Sequence, residues 1–373
     1  MKFYLTIFAL LFLAGCRNNE DTAAMENKDH TFYVGTYTDG DSQGIYKYSL
    51  SEDGHLKKTG LAATAENPSF LALSPDKRFL LAVNETHPEG GAGMVESFKI
   101  KGDTLLLINQ RSSGGADPCF VTINESGYVL TANYTGGNVG LLKLNKNGSL
   151  TDLLDVEQHT GSGTTDRQEG PHAHSTWFTA DGNNVISVDL GTNELWFSQI
   201  DSKQEKLVPN DPQKLAMRPG AGPRHLAFHP NGNWIYVINE LDNTIDLVQK
   251  GETGLYEAVA FFPTLPLGYS EPSFCADIHI SSDGKFLYAS NRGHNSIAIF
   301  SINESDGFLQ WAGHENVQGK WPRNFSISPD GNFLLVANQH SNNIVSFKRD
   351  KDNGYLEFVD QIEAPSPVCI LFD

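Results

Sequence analysis

Short apolar segments alternate with turn residues along most of the chain, and the alternation repeats. When the chain is aligned on its Ser-Pro-Asp-Gly turns and followed back nine residues, seven segments coincide. These repeats begin at Pro68, Pro118, Ala173, Pro223, Cys275, Pro322 and Pro367, so successive starts lie 45 to 55 residues apart. A period of this length is typical of a four-stranded blade of a β-propeller.

Within each repeat the pattern is that of β-strands. Apolar residues alternate with small or polar ones after the start, as at Ile278 and Ile280, and a period of two indicates a strand with two different faces. An Asp-Gly turn such as Asp283-Gly284 then leads into a second apolar strand. Two strands joined by such a turn are a strong hairpin signal. A third strand follows a polar loop, and a weaker fourth completes the repeat.

The two ends of the chain predict how the ring closes. The last repeat stops after one strand, at Asp373, whereas residues 32–37 and 44–50 look like a second and a third strand without a first. The C-terminal strand is therefore expected to pair with the N-terminal strands, which removes the open edges of the sheet. We predict an all-β, seven-bladed propeller over residues 31–373, in one domain and monomeric.

The first residues do not fit this pattern. Lys2 precedes an apolar run at residues 3–13, which is too short to span a bilayer and has the anatomy of a secretory signal. The run ends in Leu13-Ala14-Gly15-Cys16, which resembles a bacterial lipobox with Cys16 as the lipidated residue; an incidental cysteine after a simple signal peptide is the alternative. Residues 1–15 are thus predicted to be a signal peptide, and residues 16–30, polar and without periodicity, a lipidated tether.

Composition and charge restrict the kinds of molecule that the protein can bind. The formal net charge is −18, which argues against binding to nucleic acid and against electrostatic docking on anionic lipid. Membrane contact is expected through the lipid anchor only, and an anionic substrate would need a local arginine cluster. The odd set Cys119, Cys275 and Cys369 predicts buried thiols rather than a disulfide framework. No nucleotide-binding motif and no recognisable metal-ligand spacing occur, so no cofactor and no metal are predicted.

Candidate chemistry concentrates at one end of the predicted channel. The starts of the repeats, the loops between second and third strands and the connections between blades all open there, and the polar residues at these places differ from repeat to repeat. The candidates are His172, His174, Arg224, His225, Glu240, Asp277, Arg292, His294 and Arg323. Arginine binds phosphate or carboxylate with two hydrogen bonds, and histidine or glutamate can move a proton near neutral pH.

Four segments of the repeats carry distinctive motifs: Gly-Pro-His-Ala-His (170–174), Gly-Pro-Arg-His (222–225), the run 277–294 and Trp-Pro-Arg-Asn (321–324). They resemble the propeller family of 6-phosphogluconolactonases, which also includes fungal carboxy-muconate lactonizing enzymes. The resemblance covers nearly all of residues 31–373. It implies hydrolysis of a sugar δ-lactone, 6-phospho-D-glucono-1,5-lactone. A His, two Arg and a Glu are implicated in the muconate relative, and His174 (or His172), Arg224, Glu240 and Arg292 stand at the matching positions.

The resemblance suggests roles for these residues. Glu240 or His174 would accept the proton from water, while Arg224 and Arg292 would hold the phosphate or the developing oxyanion. The residues expected to bind the substrate are His172, His225, Asp277, His294 and Arg323. Asp277 could instead bond backbone amides at a strand start.

Two other functions remain open: a lactonase or lactonizing enzyme for an organic acid, and a non-catalytic propeller that binds a ligand. Cytosolic members of the family lack an export sequence, so the predicted export leaves open whether the substrate is phosphorylated. A cytoplasmic location is the alternative.

Overall fold

The computed structural model describes residues 1–2, 29–89, 91–251 and 253–373. The predictions for the signal peptide, for Cys16 and for most of the tether fall outside the described residues. Within them, 28 β-strands form seven four-stranded antiparallel sheets. The predicted all-β, seven-bladed propeller is therefore confirmed. Among the described residues no helix is long and apolar enough to cross a membrane.

Each strand is short, and together they account for most of the described chain. The first fourteen are β1 (His30–Thr36), β2 (Gly44–Leu50), β3 (Leu56–Thr64), β4 (Leu71–Leu73), β5 (Phe79–Asn84), β6 (Met94–Lys101), β7 (Thr104–Ser112), β8 (Pro118–Ile123), β9 (Tyr128–Asn133), β10 (Asn138–Lys143), β11 (Asp155–Gln158), β12 (Ala173–Phe178), β13 (Asn184–Asp189) and β14 (Glu194–Asp201). The others are β15 (Lys206–Ala216), β16 (Pro223–Phe228), β17 (Trp234–Asn239), β18 (Thr244–Lys250), β19 (Tyr256–Pro263), β20 (Phe274–Ile280), β21 (Phe286–Arg292), β22 (Ser296–Ile302), β23 (Leu309–Asn316), β24 (Pro322–Ile327), β25 (Phe333–Asn338), β26 (Asn343–Arg349), β27 (Leu356–Glu363) and β28 (Pro367–Phe372). The described part of the chain also contains two 3₁₀ helices, at Asp166–Gln168 and Gln339–Ser341.

The blades follow the sequence repeats, and we number them alike. Blades 1 to 6 are β4–β7, β8–β11, β12–β15, β16–β19, β20–β23 and β24–β27, each with its first strand innermost. Blade 7 has the order β28-β1-β2-β3, so the C-terminal strand is the innermost strand of a blade whose other three strands come from the N-terminus. The predicted ring closure is confirmed. His30, which the sequence analysis assigned to the tether, already pairs with Leu50 in this blade.

The turns after the innermost strands share one hydrogen-bond pattern that explains the recurring Ser-x-Asp-Gly sequence, which is Ser-Ser-Asp-Gly at 281–284 and Ser-Pro-Asp-Gly at 328–331. In blade 5, Ser281 Oγ donates to Asp283 and accepts from the backbone N–H of Phe286. Ser328, Asp330 and Phe333 repeat these contacts in blade 6. The glycine after each aspartate has a positive φ, as at Gly284 (73°), which favours glycine because it has no Cβ. The motif therefore sets the hairpin geometry of the blade.

The hydrophobic core lies between the blades. The described residues form seven apolar clusters, and each joins two neighbouring blades. The cluster between blades 7 and 1 packs Ile45 and Cys369 against Leu80, for example. Cys119, Cys275 and Cys369 are all buried free thiols, as predicted. Because every blade is held by its two neighbours, the stability of each depends on the closed ring.

Candidate active site

A cavity of about 420 Å³ lies at the end of the channel where the innermost strands begin. Pockets that bind small molecules usually measure roughly 300–1,000 Å³. Its wall is formed by Tyr37, Glu85, Cys119, Tyr134, Arg167, His174, Glu240, Phe274, Arg292, Trp321, Arg323 and Gln339. The site therefore lies at the end of the ring that the sequence analysis selected.

Half of this wall comes from one position of the repeat, which we call the exit position. It is the residue directly after the Asn, Asp or Thr at or near the end of the second strand of each blade, and in blade 5 it is itself the last residue of that strand. In blades 1 to 7 the exit residues are Glu85, Tyr134, Leu190, Glu240, Arg292, Gln339 and Tyr37. All of them line the cavity except Leu190, which is buried. The loops that vary between blades thus supply the chemistry of the site.

A second position, which we call the bulge position, is the second residue of the innermost strand. The strand register shifts there, for instance between Ala173 and Ser175 and between Pro322 and Asn324. A β-bulge turns a side chain away from the regular alternation of the strand. In blades 2, 3, 4 and 6 the bulge residues are Cys119, His174, Arg224 and Arg323. Three of these line the cavity, whereas Arg224 lies beneath its wall.

Glu240 is the electrostatic centre of the site. Its Oε2 forms an ion pair with Arg292 at 2.7 Å and accepts a hydrogen bond from Arg224 at 3.2 Å, and its Oε1 accepts a hydrogen bond from Arg167 at 3.1 Å. Burial alone would raise the pKa of this carboxyl, but the charges of Arg292, Arg224 and Arg167 lower it to about 2. Glu240 is consequently ionised at neutral pH and is a poor proton acceptor.

His174 is buried in the wall next to this arginine group. Burial, and then the charges of Arg224 and Arg323, hold its pKa well below the usual histidine value. The imidazole is therefore neutral at neutral pH. Its Nδ1 lies 3.7 Å from the sulfur of Cys119. A neutral imidazole in the wall of a small-molecule cavity has the protonation state that a base requires.

Arg323 is the arginine best placed to receive an anion. Its guanidinium lies over the Tyr37 ring, and its closest acidic contact is Glu85 at 3.8 Å. Among the described residues its N–H groups make no hydrogen bond to a protein acceptor, although the side chain is only 17% exposed. Tyr37 instead donates to both carboxylate oxygens of Glu85. Arg323 thus presents free donors to the cavity.

Beneath the cavity, buried polar side chains of the innermost strands form a hydrogen-bond network. Arg224 donates to Nε2 of His225 at 3.2 Å, so Nδ1 of His225 carries the proton and donates to Asp277 at 2.9 Å. Burial and the charge of Arg224 lower the pKa of His225 to about 4, so this ring is neutral. Asp277 also accepts from His279 and Asn324 and from the backbone N–H groups of Ile278 and Phe325. His225 and Asp277 therefore support Arg224 and do not line the cavity.

Two further candidates lie outside the cavity wall. His172 stacks on Tyr134 with ring centroids 4.5 Å apart and contacts Glu169, so it supports a wall residue. His294 bonds Ser296 and packs edge-on against Tyr269, on the outer side of blade 5. The structure therefore brings His174, Glu240, Arg292 and Arg323 together around the cavity and places Arg224, His225 and Asp277 below it.

Two charged members of the wall, Glu85 and Arg167, are not among the candidates from the sequence. Glu85 holds an exit position, so alignment of the repeats can find it, whereas it cannot find Arg167. This residue lies in the connection between blades 2 and 3, which is longer than any other connection between blades. The connection has no counterpart in the other repeats, so alignment of the repeats could not draw attention to Arg167. Its unusual length is the signal that could have done so. No group of histidine, cysteine and acidic side chains suited to a metal ion occurs in the described part of the chain.

The fold and the site together define a β-propeller with an arginine-rich cavity at one end of its channel. The chain belongs to the family of seven-bladed β-propeller lactonases, whose model matches residues 31–372. It is 36% identical over 296 residues to 6-phosphogluconolactonase of Bacillus subtilis, covering 79% of this chain and 83% of the relative. It is also 36% identical to a 6-phosphogluconolactonase of Formosa agariphila over 305 residues, covering 79% of this chain and 85% of the relative.

A solved structure agrees with this assignment. The periplasmic gluconolactonase of Pseudomonas aeruginosa superposes with a TM-score of 0.88 at 31% identity, covering 92% of this chain and 99% of the other.

Proposed function

We propose that this protein hydrolyses the δ-lactone of a sugar acid, with 6-phospho-D-glucono-1,5-lactone as the first substrate to test. The observation that carries the proposal is the meeting of neutral His174 with Arg292 and Arg323 around one cavity of about 420 Å³. The names of the similar proteins support the same substrate class. A single-ring lactone with one anionic group suits a cavity of this size and charge.

In the proposed reaction, His174 accepts a proton from the water that attacks the ring carbonyl. Burial and the charges of Arg224 and Arg323 disfavour the imidazolium form. Negative charge that develops on the lactone oxygen offsets these arginines, so the imidazole becomes a stronger base as the reaction proceeds. The ring C–O bond then breaks, and the proton passes to the leaving oxygen. Preorganised charge of this kind gives the largest stabilisation of such intermediates.

Each arginine has a different role in the proposed reaction. Arg292 faces the cavity and is held by Glu240 and by the carbonyl of Cys275, so it is fixed for the oxyanion. Arg323, with free donors, binds the phosphate or another anionic substituent. Arg224 lies beneath the wall and acts through its charge and its contact with Glu240. We assign Glu240 the role of orienting the arginines, because both of its carboxylate oxygens are already paired with arginine side chains.

The test is a hydrolysis assay of the purified protein with 6-phospho-D-glucono-1,5-lactone, D-glucono-1,5-lactone and an aliphatic δ-lactone. Spontaneous hydrolysis is subtracted for each. We expect a rate above background on a sugar lactone and a higher kcat/KM for the phosphorylated form. A rate on the aliphatic lactone alone would favour the organic-acid alternative, and no rate on any of them would favour a ligand-binding propeller.

We further propose export and lipid anchoring through Cys16. The signal anatomy of residues 1–15 supports this proposal. One similar structure is that of a periplasmic gluconolactonase, whereas the relative from Bacillus subtilis is named a 6-phosphogluconolactonase. An exported enzyme would meet lactones outside the cytoplasm, which makes the unphosphorylated sugar lactone an essential arm of the assay.

A further inference from the structure

Blade 3 is the one blade whose exit residue does not reach the cavity. Leu190 occupies the exit position there and is buried, whereas the exit residues of the other six blades line the wall. Arg167 fills the part of the wall that the exit residue of blade 3 leaves open. Arg167 comes from the connection between blades 2 and 3, residues 159–172, which we call the strap.

Arg167 is joined to two wall residues. Its terminal nitrogen donates to the hydroxyl of Tyr134 at 2.9 Å and to Oε1 of Glu240 at 3.1 Å. The side chain is 51% exposed, in contrast to the buried Arg224 and Arg292. It therefore stands at the mouth of the cavity, where its remaining N–H groups are open to an entering molecule.

Both ends of the strap are tied to one carboxylate. Asp189 accepts a hydrogen bond from Nδ1 of His159 at 2.7 Å and another from the backbone N–H of His172 at 2.9 Å. His159 and Asp189 are completely buried, and the His159 ring stacks on Trp196 at 4.1 Å. The middle of the strap is tied as well, because buried Gln168 donates to Leu190 and Asn193. The strap is thus held in place on both sides of Arg167.

Asp189 departs from the repeat at this position. The residue just before the exit position is Asn84, Asn133, Asn239, Asn291 or Asn338 in the other five blades of the internal repeats, and only blade 3 has an acid. In those blades the amide donates, for example from Asn84 to the carbonyl of Glu66 and from Asn338 to that of Val317. In blade 3 the direction is reversed, because the strap donates and the side chain accepts. The only acid at this position therefore occurs in the blade that follows the longest connection between blades.

We propose that Arg167 is a further substrate-binding residue and that Asp189 positions it through the strap. Arg167 binds anionic or hydroxyl oxygens at the end of the substrate that points out of the cavity. The inference rests on the proposed function for the identity of the substrate, but the placement of Arg167 does not depend on turnover.

The proposal is tested with the full-length protein and four variants: Arg167→Ala, Arg167→Lys, Asp189→Asn and the double variant Arg167→Ala/Asp189→Asn. Arg78→Ala is the matched control, since Arg78 is an exposed arginine in the turn of blade 1 that pairs with Asp76. KM and kcat are measured on 6-phospho-D-glucono-1,5-lactone. The affinity for 6-phosphogluconate, the product, is measured by calorimetry.

We expect Arg167→Ala to raise KM by about 10- to 100-fold with a smaller change in kcat, because a charge-assisted hydrogen bond is lost. Arg167→Lys should recover part of this loss. Asp189→Asn should raise KM in the parent protein but not in the Arg167→Ala background, since its effect passes through Arg167. A merely structural role of Asp189 would give the same proportional loss in both backgrounds and would overturn the positioning role.

The two proposals fail in different ways. An active parent whose KM and product affinity are unchanged by Arg167→Ala would overturn the role of Arg167 and leave the lactonase function intact. A parent without turnover that binds 6-phosphogluconate, and binds it more weakly after Arg167→Ala, would overturn the lactonase function and support the role of Arg167. A parent that neither turns over nor binds would overturn both.

Discussion

Glu240 and Arg292 form an ion pair with 2.7 Å between the carboxylate oxygen and the guanidinium nitrogen, across the boundary between blades 4 and 5. The exit residues of two adjacent blades thus form a buried ion pair at the floor of the cavity. Arg224 adds a second contact to the same carboxylate oxygen at 3.2 Å. Removing one partner of such a pair leaves buried charge without compensation, which makes the pair a sensitive point for both stability and activity.

Glu240→Gln should destabilise the protein by about 3–5 kcal/mol at neutral pH, because Arg224 and Arg292 lose their counter-charge. Turnover should also fall, through misplaced arginines. The folded pKa of Glu240 is lowered from 4.5 to about 2, so its stabilising effect is complete above pH 4.5 and is lost as the pH falls toward 2. Denaturant unfolding of both proteins from pH 7 to 2 checks this. Equal free energies of unfolding at pH 7 would contradict it.

His174→Ala should lower kcat by about 10²- to 10⁴-fold with little change in KM, since the base is removed while the arginines remain. Because the pKa of His174 is held well below 6.5 by burial and by Arg224, the imidazole stays neutral as the pH falls from 8 to 6.5. The rate of the parent should therefore show no histidine-like decline in that interval. His174→Gln controls for shape, and a variant with parental kcat would exclude His174 as the base.

Arg323→Ala should raise KM for the phosphorylated lactone by about 10²-fold or more, because the free donors that face the cavity are lost. Arg323→Lys keeps the charge but not the two-pronged geometry, so it should restore only part of the binding. The unphosphorylated lactone is the control substrate, and its KM should change much less. An equal change for both lactones would show that Arg323 does not bind the phosphate.

The fold and part of the candidate site could be predicted from the sequence for one physical reason. A propeller repeats the same hairpin turns and the same alternation seven times, so weak local signals accumulate into a clear period. The bulge and exit positions can be aligned in the same way, which pointed to His174, Glu240 and Arg323. Alignment could not show, however, which residues at the same position of the repeat face the cavity. Arg224 and Arg323 occupy equivalent bulges, and only their neighbours decide that Arg323 faces the cavity while Arg224 lies below it.

The strap marks the limit of this approach. Residues 159–172 have no periodicity and no counterpart in other repeats, so the path of the chain depends on contacts between distant residues. His159 reaches Asp189 across 30 positions of the sequence, and Arg167 reaches Glu240 across 73. The single aspartate among aligned asparagines is visible in the sequence, but its two partners become apparent only when the blades are assembled.

Cys16→Ser should abolish lipid attachment and release the protein from the membrane fraction. The reason is chemical, since the thiol of a lipobox cysteine receives the lipid. Metabolic labelling with a fatty acid, followed by membrane fractionation, checks both effects. Ser substitution of Cys119, which is buried in the propeller, is the control and should leave labelling unchanged. An unlabelled parent would show that the lipobox interpretation is wrong.

Deletion of residues 367–373 should cost most of the stability of the ring. It removes β28, whose pairing with β1 runs from Phe32 opposite Phe372 to Thr36 opposite Pro367. Blade 7 would then lose its innermost strand, and the exposed edge of β1 would be free to pair with other molecules.

The deletion would also remove Cys369 and Ile370 from the clusters that join blade 7 to blades 1 and 6. We therefore expect aggregation or a large fall in Tm, measured by scanning calorimetry and light scattering. Deletion of Asp373 alone is the matched control, because it lies beyond β28 and contacts Thr31 and Lys47 near the surface. A truncated protein that stays monomeric and melts with the parent would mean that closure by the C-terminal strand contributes little to the fold.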